Sequence, residues 1–530
     1  MTKFKRATLT LLIGTATAAL GACGADDIAS PGEGTIVLPA PTPAPAPSPT
    51  PTPGGTLATP AANCPTITGG AQLTNDGTIT GPTGSYRVCT LPARFTASTT
   101  LPRVPGTLYR IANRVDVGTD AGPGSSGYAV TLSIDPGVVI YSESGPTFLA
   151  VNRGNQINAV GTPSAPIIFT SRANVVGQND DTSQQQWGGI VLLGRAPVTD
   201  CFEPGTSGVG GDQSNQGTVN CSRDTEGTSG ALYGGASPED NSGRMSYVQI
   251  RYSGFALAPG RELQSLTPSG VGSATQLDHL QLHNSSDDGI EIFGGRPNVK
   301  YMVITGADDD SIDTDVGYKG FIQFVIAIQR PGGGSGDSMI ENDSDNNENA
   351  VPRTNVRLAN FTFVHRGVTS NSNNAAILLR GGGDYAMYNG ILVAESGRPC
   401  LRINSATTIQ TSGPDEAGAP IFRSVLFSGC ATPFSGTNGV TTEQVAAIFN
   451  GGQNNNAAFT SSLTNVFING ANENAATAVD PATISSAFTS APYVGAVRNA
   501  SDTWYRNWTC NSTYADFGSA SGTCVSLPTI

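Results

Sequence analysis

The sequence predicts an all-β solenoid: a chain wound into stacked coils of short strands, with caps at both ends and loops inserted between coils. Three observations carry this. Asp287-Asp288-Gly289-Ile290-Glu291 recurs 22 positions later as Asp309-Asp310-Ser311-Ile312-Asp313. The apolar residues before each copy recur at the same offset, Leu277, Leu280 and Leu282 becoming Val299, Met302 and Ile304. Apolar and acidic positions that repeat together are what stacking one coil on the last produces. Third, an apolar triplet spaced i, i+3, i+5 appears seven times. Its members are Met245/Val248/Ile250, Leu277/Leu280/Leu282, Val299/Met302/Ile304, Val356/Ala359/Phe361, Tyr388/Ile391/Val393, Phe422/Val425/Phe427 and Leu463/Val466/Ile468. The longest gap, 57 residues, spans two coils, and Phe321 to Ile328 supplies the intervening strand. Helix competes poorly, because the runs are short, β-branched and bounded by Gly, Asn and Asp. A β-sandwich also uses short strands, but it leaves the in-register polar turn unexplained.

Composition agrees. Of 530 residues, 66 are Gly and 35 Pro, and only 13% are charged, which suits strands and turns better than helices. The net charge of −13 argues against a nucleic-acid partner, because phosphate neutralisation needs Lys and Arg. It favours cations or cationic ligands.

Taken in order, residues 1–22 read as a signal peptide. Lys3, Lys5 and Arg6 precede a short apolar run from Ala7 to Leu20, too short for a comfortable membrane span. Residues 23–63 are a linker whose centre, PAPTPAPAPSPTPTP, stiffens toward polyproline II and makes a stalk. Residues 64–130 are expected to be irregular and to cap the open end of the solenoid. Residues 131–470 are its coils, starting with the triplets Val138-Val139-Ile140, Phe148-Leu149-Ala150 and Ile167-Ile168-Phe169 between Gly and Pro turns. Residues 200–242, polar and Gly-rich, are a loop inserted into one coil. Residues 471–530 form a C-terminal cap or tail packed on the final coil, with Trp504 and Trp508 read as packing residues rather than a sugar platform.

Leu20-Gly21-Ala22-Cys23 resembles the bacterial lipobox, which implies a diacylated Cys23 as the mature N-terminus. Lipid chains anchor a protein without a transmembrane helix. Gly24 stands where inner-membrane retention signals usually place Asp, which points to the outer membrane, at its periplasmic face or the cell surface. Setting Cys23 aside leaves eight Cys in sequence-adjacent pairs, Cys64/Cys89, Cys201/Cys221, Cys400/Cys430 and Cys510/Cys524. Four local disulfides in an oxidising compartment are the simplest of many pairings, and no short CxxC spacing suggests zinc.

The stretches LAVNRGNQINAVGTPSAPIIFTS, WGGIVLLGRAPV, NSSDDGIEIFGGRPNVKYMVITGADDDSIDTDVGYKGFIQFVIAIQ and NVRLANFTFV together resemble right-handed parallel β-helix proteins of the pectate-lyase-like superfamily. More narrowly they are similar to bacterial surface lipoproteins of that fold, a group mostly without assigned activity. The resemblance covers about Leu132 to Val393. It implies carbohydrate contact or association with an outer-membrane nutrient receptor, and it fixes no activity, because this fold hosts many.

The chemistry concentrates between Asp287 and Glu348, where 13 acidic residues meet four basic ones. The 22-residue coil sets Asp287 beside Asp309, Asp288 beside Asp310 and Glu291 beside Asp313, and stacked strands lie about 4.8 Å apart. Like charges that close repel unless something neutralises them, and Ca²⁺ suits irregular carboxylate clusters. A second candidate loop runs from Glu341 to Glu348, with Asp343 and Asp345 as ligands. It lacks the Gly of an EF-hand. The bland alternative is a set of solvated turns in which Asp caps backbone groups and points into water. His279 and His283 share a strand face, and stacked strand residues fit them better than a metal pair.

The leading reading is a lipid-anchored outer-membrane or surface β-helix that binds an extracellular ligand or a receptor, with Ca²⁺ on its acidic edge. The alternative is a Ca²⁺-dependent polysaccharide lyase or related carbohydrate enzyme. Such a lyase needs a base beside the uronate, and Lys300, Lys319 and Arg330 are the nearest candidates. Asp287-Asp288 resembles the twin Asp of polygalacturonase-type hydrolases, but their Asn-Thr-Asp, Gly-His-Gly and Arg-Ile-Lys motifs are missing. The sequence also holds no G-x-S-x-G, HExxH or GxxxxGK[ST].

Overall fold

The computed structural model describes residues 56–530, except 71, 202–211, 227, 259–260, 332–335, 345–346, 367–374 and 396. The expected signal peptide, Cys23, most of the Pro-rich stretch and Asp345 lie outside the described residues.

Two long sheets of parallel strands build the fold, and the chain alternates between them. Through the middle of the chain the first sheet takes Gly243–Arg251, Gln276–His283, Asn298–Thr305, Phe321–Ile328, Asn355–His365, Asp384–Ala394 and Ile421–Ser428 in order. The second takes Leu266–Ser269, Ile290–Phe293, Ile312–Asp315, Ile340–Asn342, Ile377–Leu379, Pro399–Asn404 and Thr432–Thr437. Each strand pairs with its counterpart one coil away, which makes the fold a parallel β-helix. Its core is one continuous apolar column between the sheets, running from Ile67 to Phe449. Strands alternate their side chains, so every second apolar residue feeds that column.

The repeat sets the register. Met245, Leu277, Val299 and Ile322 occupy one row across the first sheet. Val248, Leu280, Met302 and Val325 occupy the next inward row. Beyond the strand Phe321–Ile328 the expected triplets slip. The ladder aligns Leu358, Phe361 and Phe363 with Ile322, Val325 and Ala327, and then Met387, Gly390 and Leu392. The triplet Val356/Ala359/Phe361 is therefore set two residues early and Tyr388/Ile391/Val393 one residue late, although Phe361 itself lies in the row of Val325. These strands run 11 residues and are apolar on both faces, so spacing alone does not say which face is inside. Phe422, Val425 and Phe427 return to register. Leu463, Val466 and Ile468 follow the last sheet strand, Asn456–Phe459, and are not a coil.

Coil strands also occupy the region expected to be irregular. Gly84–Thr90, Thr107–Ile111 and Val139–Ser142 pair in parallel, as do Arg94–Phe95, Val115–Val117 and Leu149–Val151. All four disulfides join the sequence-adjacent pairs: Cys64–Cys89, Cys201–Cys221, Cys400–Cys430 and Cys510–Cys524.

One position per coil bends the first sheet's strands. Tyr247, His279, Tyr301, Phe324, Asn360, Asn389 and Ser424 all have φ between 50° and 61°. Bulky residues rarely adopt this left-handed region, so a row of seven requires compensation from packing. Stacking supplies part of it. The Tyr247 and His279 rings lie 4.2 Å apart, His279 and Tyr301 4.5 Å, and Tyr301 and Phe324 4.8 Å. This places His279 in an aromatic stack, its Nδ1 against Asp278 at 2.7 Å. His283 is buried elsewhere, with Nδ1 against the Thr305 hydroxyl at 2.8 Å.

Both outer faces are partly covered. Residues after 460 run back along the first sheet from its last coils to its first, instead of capping only the final coil. Thr489 bonds Gln323, Cys510 bonds Gln281, and the Ile530 carbonyl accepts from the Gly106 amide. Trp508 is fully buried against Tyr247 and His279, as a packing residue. The 200–242 insertion, tied by Cys201–Cys221, packs Cys201, Ala231 and Tyr233 on Ala150, Val191 and Leu193 of the second sheet.

Candidate metal centre

The acidic residues gather on the outward side of the second sheet and in the turn before it. Ile290 and Ile292 point into the core, so Glu291 points out; Ile312 and Asp313 repeat the arrangement. Glu291 pairs with Asp313, and Asp313 with Glu341, so three acids form one row across adjacent strands. The turn adds a second row. The Asp310 amide donates to Asp288 Oδ1 at 2.9 Å, and the Ser338 amide donates to Asp310 Oδ1 at 2.6 Å. These two Asp do cap backbone groups, as the bland reading expects, but they do it in the interior. Asp288 is 5% exposed, Asp310 4% and Glu291 6%. Outward direction has not brought solvation to these three, whereas Asp309 is exposed and Asp287 and Asp313 are half-buried.

Gly289 makes the turn tight. A Cβ there would lie 2.7 Å from the Ser311 carbonyl oxygen and 2.6 Å from Ile304 Cγ2. The turn thus holds Asp288 and Glu291 close. One carboxylate oxygen each from Asp287, Asp288 and Asp309 lies within 4.8 Å of the others, and Asp288, Glu291 and Asp313 form a second such group.

Burial sets the electrostatics. It pushes the carboxyls of Asp287, Asp288, Glu291, Asp310 and Asp313 well above their ordinary range, and neighbouring carboxylates add to the shift. Asp309 rises to about 6 and Asp337 to about 7 for the same reasons, burial first. Groups arranged this way must take up protons or a cation. Hard oxygen donors at this density fit Ca²⁺, which takes six to eight of them, about 2.3–2.6 Å away.

Among the described residues cationic compensation is partial: Arg398 acts on Asp337, and Arg330 pairs with Asp308 beside Asp309. Arg380 pairs with Glu341, and with Asp343 at 2.9 Å. Asp343 is thus an ion-pair partner at the rim, and Glu341 and Asn342 belong to a strand rather than to one loop with Asp343. At the other end a neutral donor, Gln264 Nε2, bonds Asp287 Oδ2 at 3.1 Å.

The three basic candidates are engaged away from this centre. Lys300 Nζ donates to the Thr489 hydroxyl at 3.0 Å, on the first sheet. Lys319 Nζ lies 2.5 Å from Asp415. Arg330 contacts Asp308 at 3.3 Å, the Thr182 carbonyl at 3.1 Å and Gln184. His283 and His365 are buried, and burial holds both well below the usual imidazole range, with His365 at about 4.

Sequence reasoning missed Glu226, Glu262 and Asp337, and it set Glu341 in a separate loop instead of beside Asp313. Glu226 and Glu262 belong to inserted segments, and both add negative charge near Asp287. Nothing in the repeat marks them, because insertions lie outside its period. Asp337 and Glu341 were findable: Asp309-Asp310-Ser311-Ile312-Asp313 recurs after 28 residues as Asp337-Ser338-Met339-Ile340-Glu341.

No curated protein and no solved structure matches the chain. The family model described as a pectate-lyase-like β-helix domain matches residues 122–509, nearly three quarters of the length. The match spans the coils on both sides of the acidic turn and most of the returning C-terminal segment. With its stacked parallel strands and that match, the chain belongs to the family of pectate-lyase-like β-helix domains.

Proposed function

We propose that this chain is a lipid-anchored β-helix of the outer membrane or cell surface, binding an extracellular ligand such as a polysaccharide, or an outer-membrane receptor. Its acidic edge is held by Ca²⁺. The observation that carries the cation is the carboxylate cluster, five side chains in two groups, of which Asp288 and Glu291 are buried, with no ion pair to a basic residue among the described residues. Asp287, Asp288, Glu291, Asp309 and Asp313 would hold the ion, with Asp310 at the margin. The ion would supply charge neutralisation and would tie adjacent coils together.

A binding role accords with the engagement of Lys300, Lys319 and Arg330 elsewhere, since β-elimination needs a base next to the metal. Cys23 would carry the lipid and residues 23–63 would lift the β-helix from the membrane. Among the described residues no helix is long and apolar enough to cross a membrane.

The test incubates the full chain with uronate-containing polysaccharides and Ca²⁺. It follows both retention of the glycan and the appearance of ultraviolet-absorbing unsaturated ends. Retention, or co-purification with a receptor, without product supports the reading. Product that disappears in Lys300→Ala or Lys319→Ala would overturn it in favour of a lyase. Fatty-acid labelling that persists in Cys23→Ala would contradict the anchor.

A further inference from the structure

A cavity of about 270 Å³ lies between the first sheet and the end of the returning C-terminal segment. In the strand Gly243–Arg251, Met245, Val248 and Ile250 enter the core, so Gln249 and Arg251 point outward. They form one wall, and Asn507, Thr523, Ser526 and Leu527 of the segment form another. The lining side chains include Arg103 and Arg251 and no Asp or Glu. The chain carries a net charge of −13, so this cavity has the opposite sign to the molecule.

Arg251 is the unusual group. It is 2% exposed, yet every acceptor of its guanidinium among the described residues is neutral. Nε donates to Gln249 Oε1 at 2.8 Å, and Nη1 donates to the Cys524 and Ser526 carbonyls at 3.0 and 3.1 Å. Nη2 also donates to Gln249 Oε1. A guanidinium has five N–H donors, so one on Nη2 has no acceptor among the described residues. Burial pulls the Arg251 pKa down to about 10, with no carboxylate close enough to oppose it. Arg153, Arg195 and Arg353 are as deeply buried, and each meets an acid, Asp120 at 2.6 Å, Asp240 at 2.6 Å and Asp384 at 3.1 Å. Buried charges are ordinarily paired. Clamping two carbonyls accounts for Nη1 and leaves the charge of Arg251 unanswered.

Arg103 brings a second guanidinium to the same space. It is exposed, and its side chain makes no hydrogen bond or ion pair among the described residues. It lies along Gly137, where a Cβ would come within 3.1 Å of Arg103 Nε. The Asp135 carboxylate takes the Arg103 main-chain amide, at 3.4 Å, and not the guanidinium. The Ile530 main chain also reaches the cavity. Its carbonyl oxygen accepts from the Gly106 amide at 3.1 Å, and no ion pair joins it to either Arg among the described residues. Guanidinium groups match carboxylate and phosphate oxygens in geometry and in charge. The volume is close to the lower end of small-molecule sites, about 300 Å³, which is more room than a bare ion needs.

We propose that this cavity binds a small hydroxylated anion by its carboxylate or phosphate group, with Arg103 at the mouth and Arg251 behind it. The neutral polar side chains of Asn507, Thr523 and Ser526 would meet the hydroxyls. The site is separate from the cation and the anchor and needs neither.

Isothermal titration of gluconate, glucose 6-phosphate and neutral glucose into the full chain at low salt tests this. Saturable binding of gluconate or glucose 6-phosphate, and none of glucose, is expected, and the tighter of the two tells carboxylate from phosphate. Arg103→Gln should weaken that binding about tenfold or more with the melting temperature unchanged, and Arg103→Lys should keep part of it. Arg251→Gln should abolish it. Glucose bound as well as the anions overturns the anion site. Binding that Arg103→Gln leaves unaltered overturns its placement. No saturable binding of any probe at millimolar concentration overturns the proposal and leaves Arg251 as a clamp on the Cys524 and Ser526 carbonyls. Circular dichroism checks folding; where Arg251→Gln does not fold, the two Arg103 variants still decide. Every one of these outcomes leaves the calcium reading of the acidic edge untouched.

Discussion

Gln281 and the backbone of Cys510 close a reciprocal pair of hydrogen bonds. Gln281 Nε2 donates to the Cys510 carbonyl at 2.9 Å, and the Cys510 amide donates to Gln281 Oε1 at 2.7 Å. Gln323 does the same with Thr489, both bonds 2.8 Å, and Asn389 with Val479, at 2.7 and 3.0 Å. Three amide side chains in different coils thus read the main chain of the returning C-terminal segment. Gln281→Leu leaves two buried backbone groups unmet, and each costs about 1–3 kcal/mol. A loss of about 2–4 kcal/mol in unfolding free energy is expected, with faster amide exchange at Cys510 and protease cutting in the 505–524 region before the coils open. Uniform destabilisation with no local exchange would contradict a clip.

Phe361 occupies the space that Gly390 leaves. A Cβ on Gly390 would lie 1.9 Å from Phe361 Cζ, and the two residues are in register on adjacent strands. Gly390→Ala is expected to cost about 1–3 kcal/mol, as overpacking does. Adding Phe361→Leu should recover part of that loss. A double-mutant cycle with no coupling would show that the ring does not depend on the missing side chain.

His365 makes a pH prediction. It is 1% exposed, its Nε2–H donates to the Asp337 carbonyl at 2.8 Å, and burial lowers its pKa to about 4. In the unfolded chain it takes a proton near 6.5. Between those values the unfolded state binds more protons, so this residue's contribution to stability falls as pH drops from 6.5 toward 4, by about 3 kcal/mol in all. The buried carboxyls act in the opposite sense. Their folded pKa values are raised, so stability grows as pH falls through those values. Subtracting the pH profile of His365→Gln from that of the unaltered chain removes the carboxyl part common to both. The difference should fall below pH 6.5; a flat difference would contradict a neutral buried imidazole.

How far the sequence carried the reading can be followed on single residues. The row Leu277, Val299 and the pairing of Glu291 with Asp313 were legible because a bare coil of 22 residues separates the copies. The row at Leu358 and Met387 was not, because strands apolar on both faces present two equally good inward sets. The second apolar face of those strands has its own cause, since Phe488 and Ile484 of the returning segment pack on Ala359 and Tyr388. The chain order gives no hint that residues past 460 come back over earlier coils. The bend at Tyr247, His279 and Tyr301 was also hidden, because bulky residues carry no left-handed signal of their own. At the acidic edge the residue types were readable and the burial was not. Burial cannot be read from the repeat, and the proposed cation site rests on it.

Whether calcium holds the buried carboxylates of the second sheet is decided by the melting temperature of the full chain as Ca²⁺ is titrated at neutral pH. An ion that binds only the folded state at a hundred times its dissociation constant stabilises by about 2.7 kcal/mol. A calcium-held edge predicts a melting temperature that rises with Ca²⁺, returns on chelation and responds far less in Glu291→Gln. An unchanged melting temperature at millimolar Ca²⁺, with none lost on chelation, would contradict it and leave these carboxyls neutralised by protons.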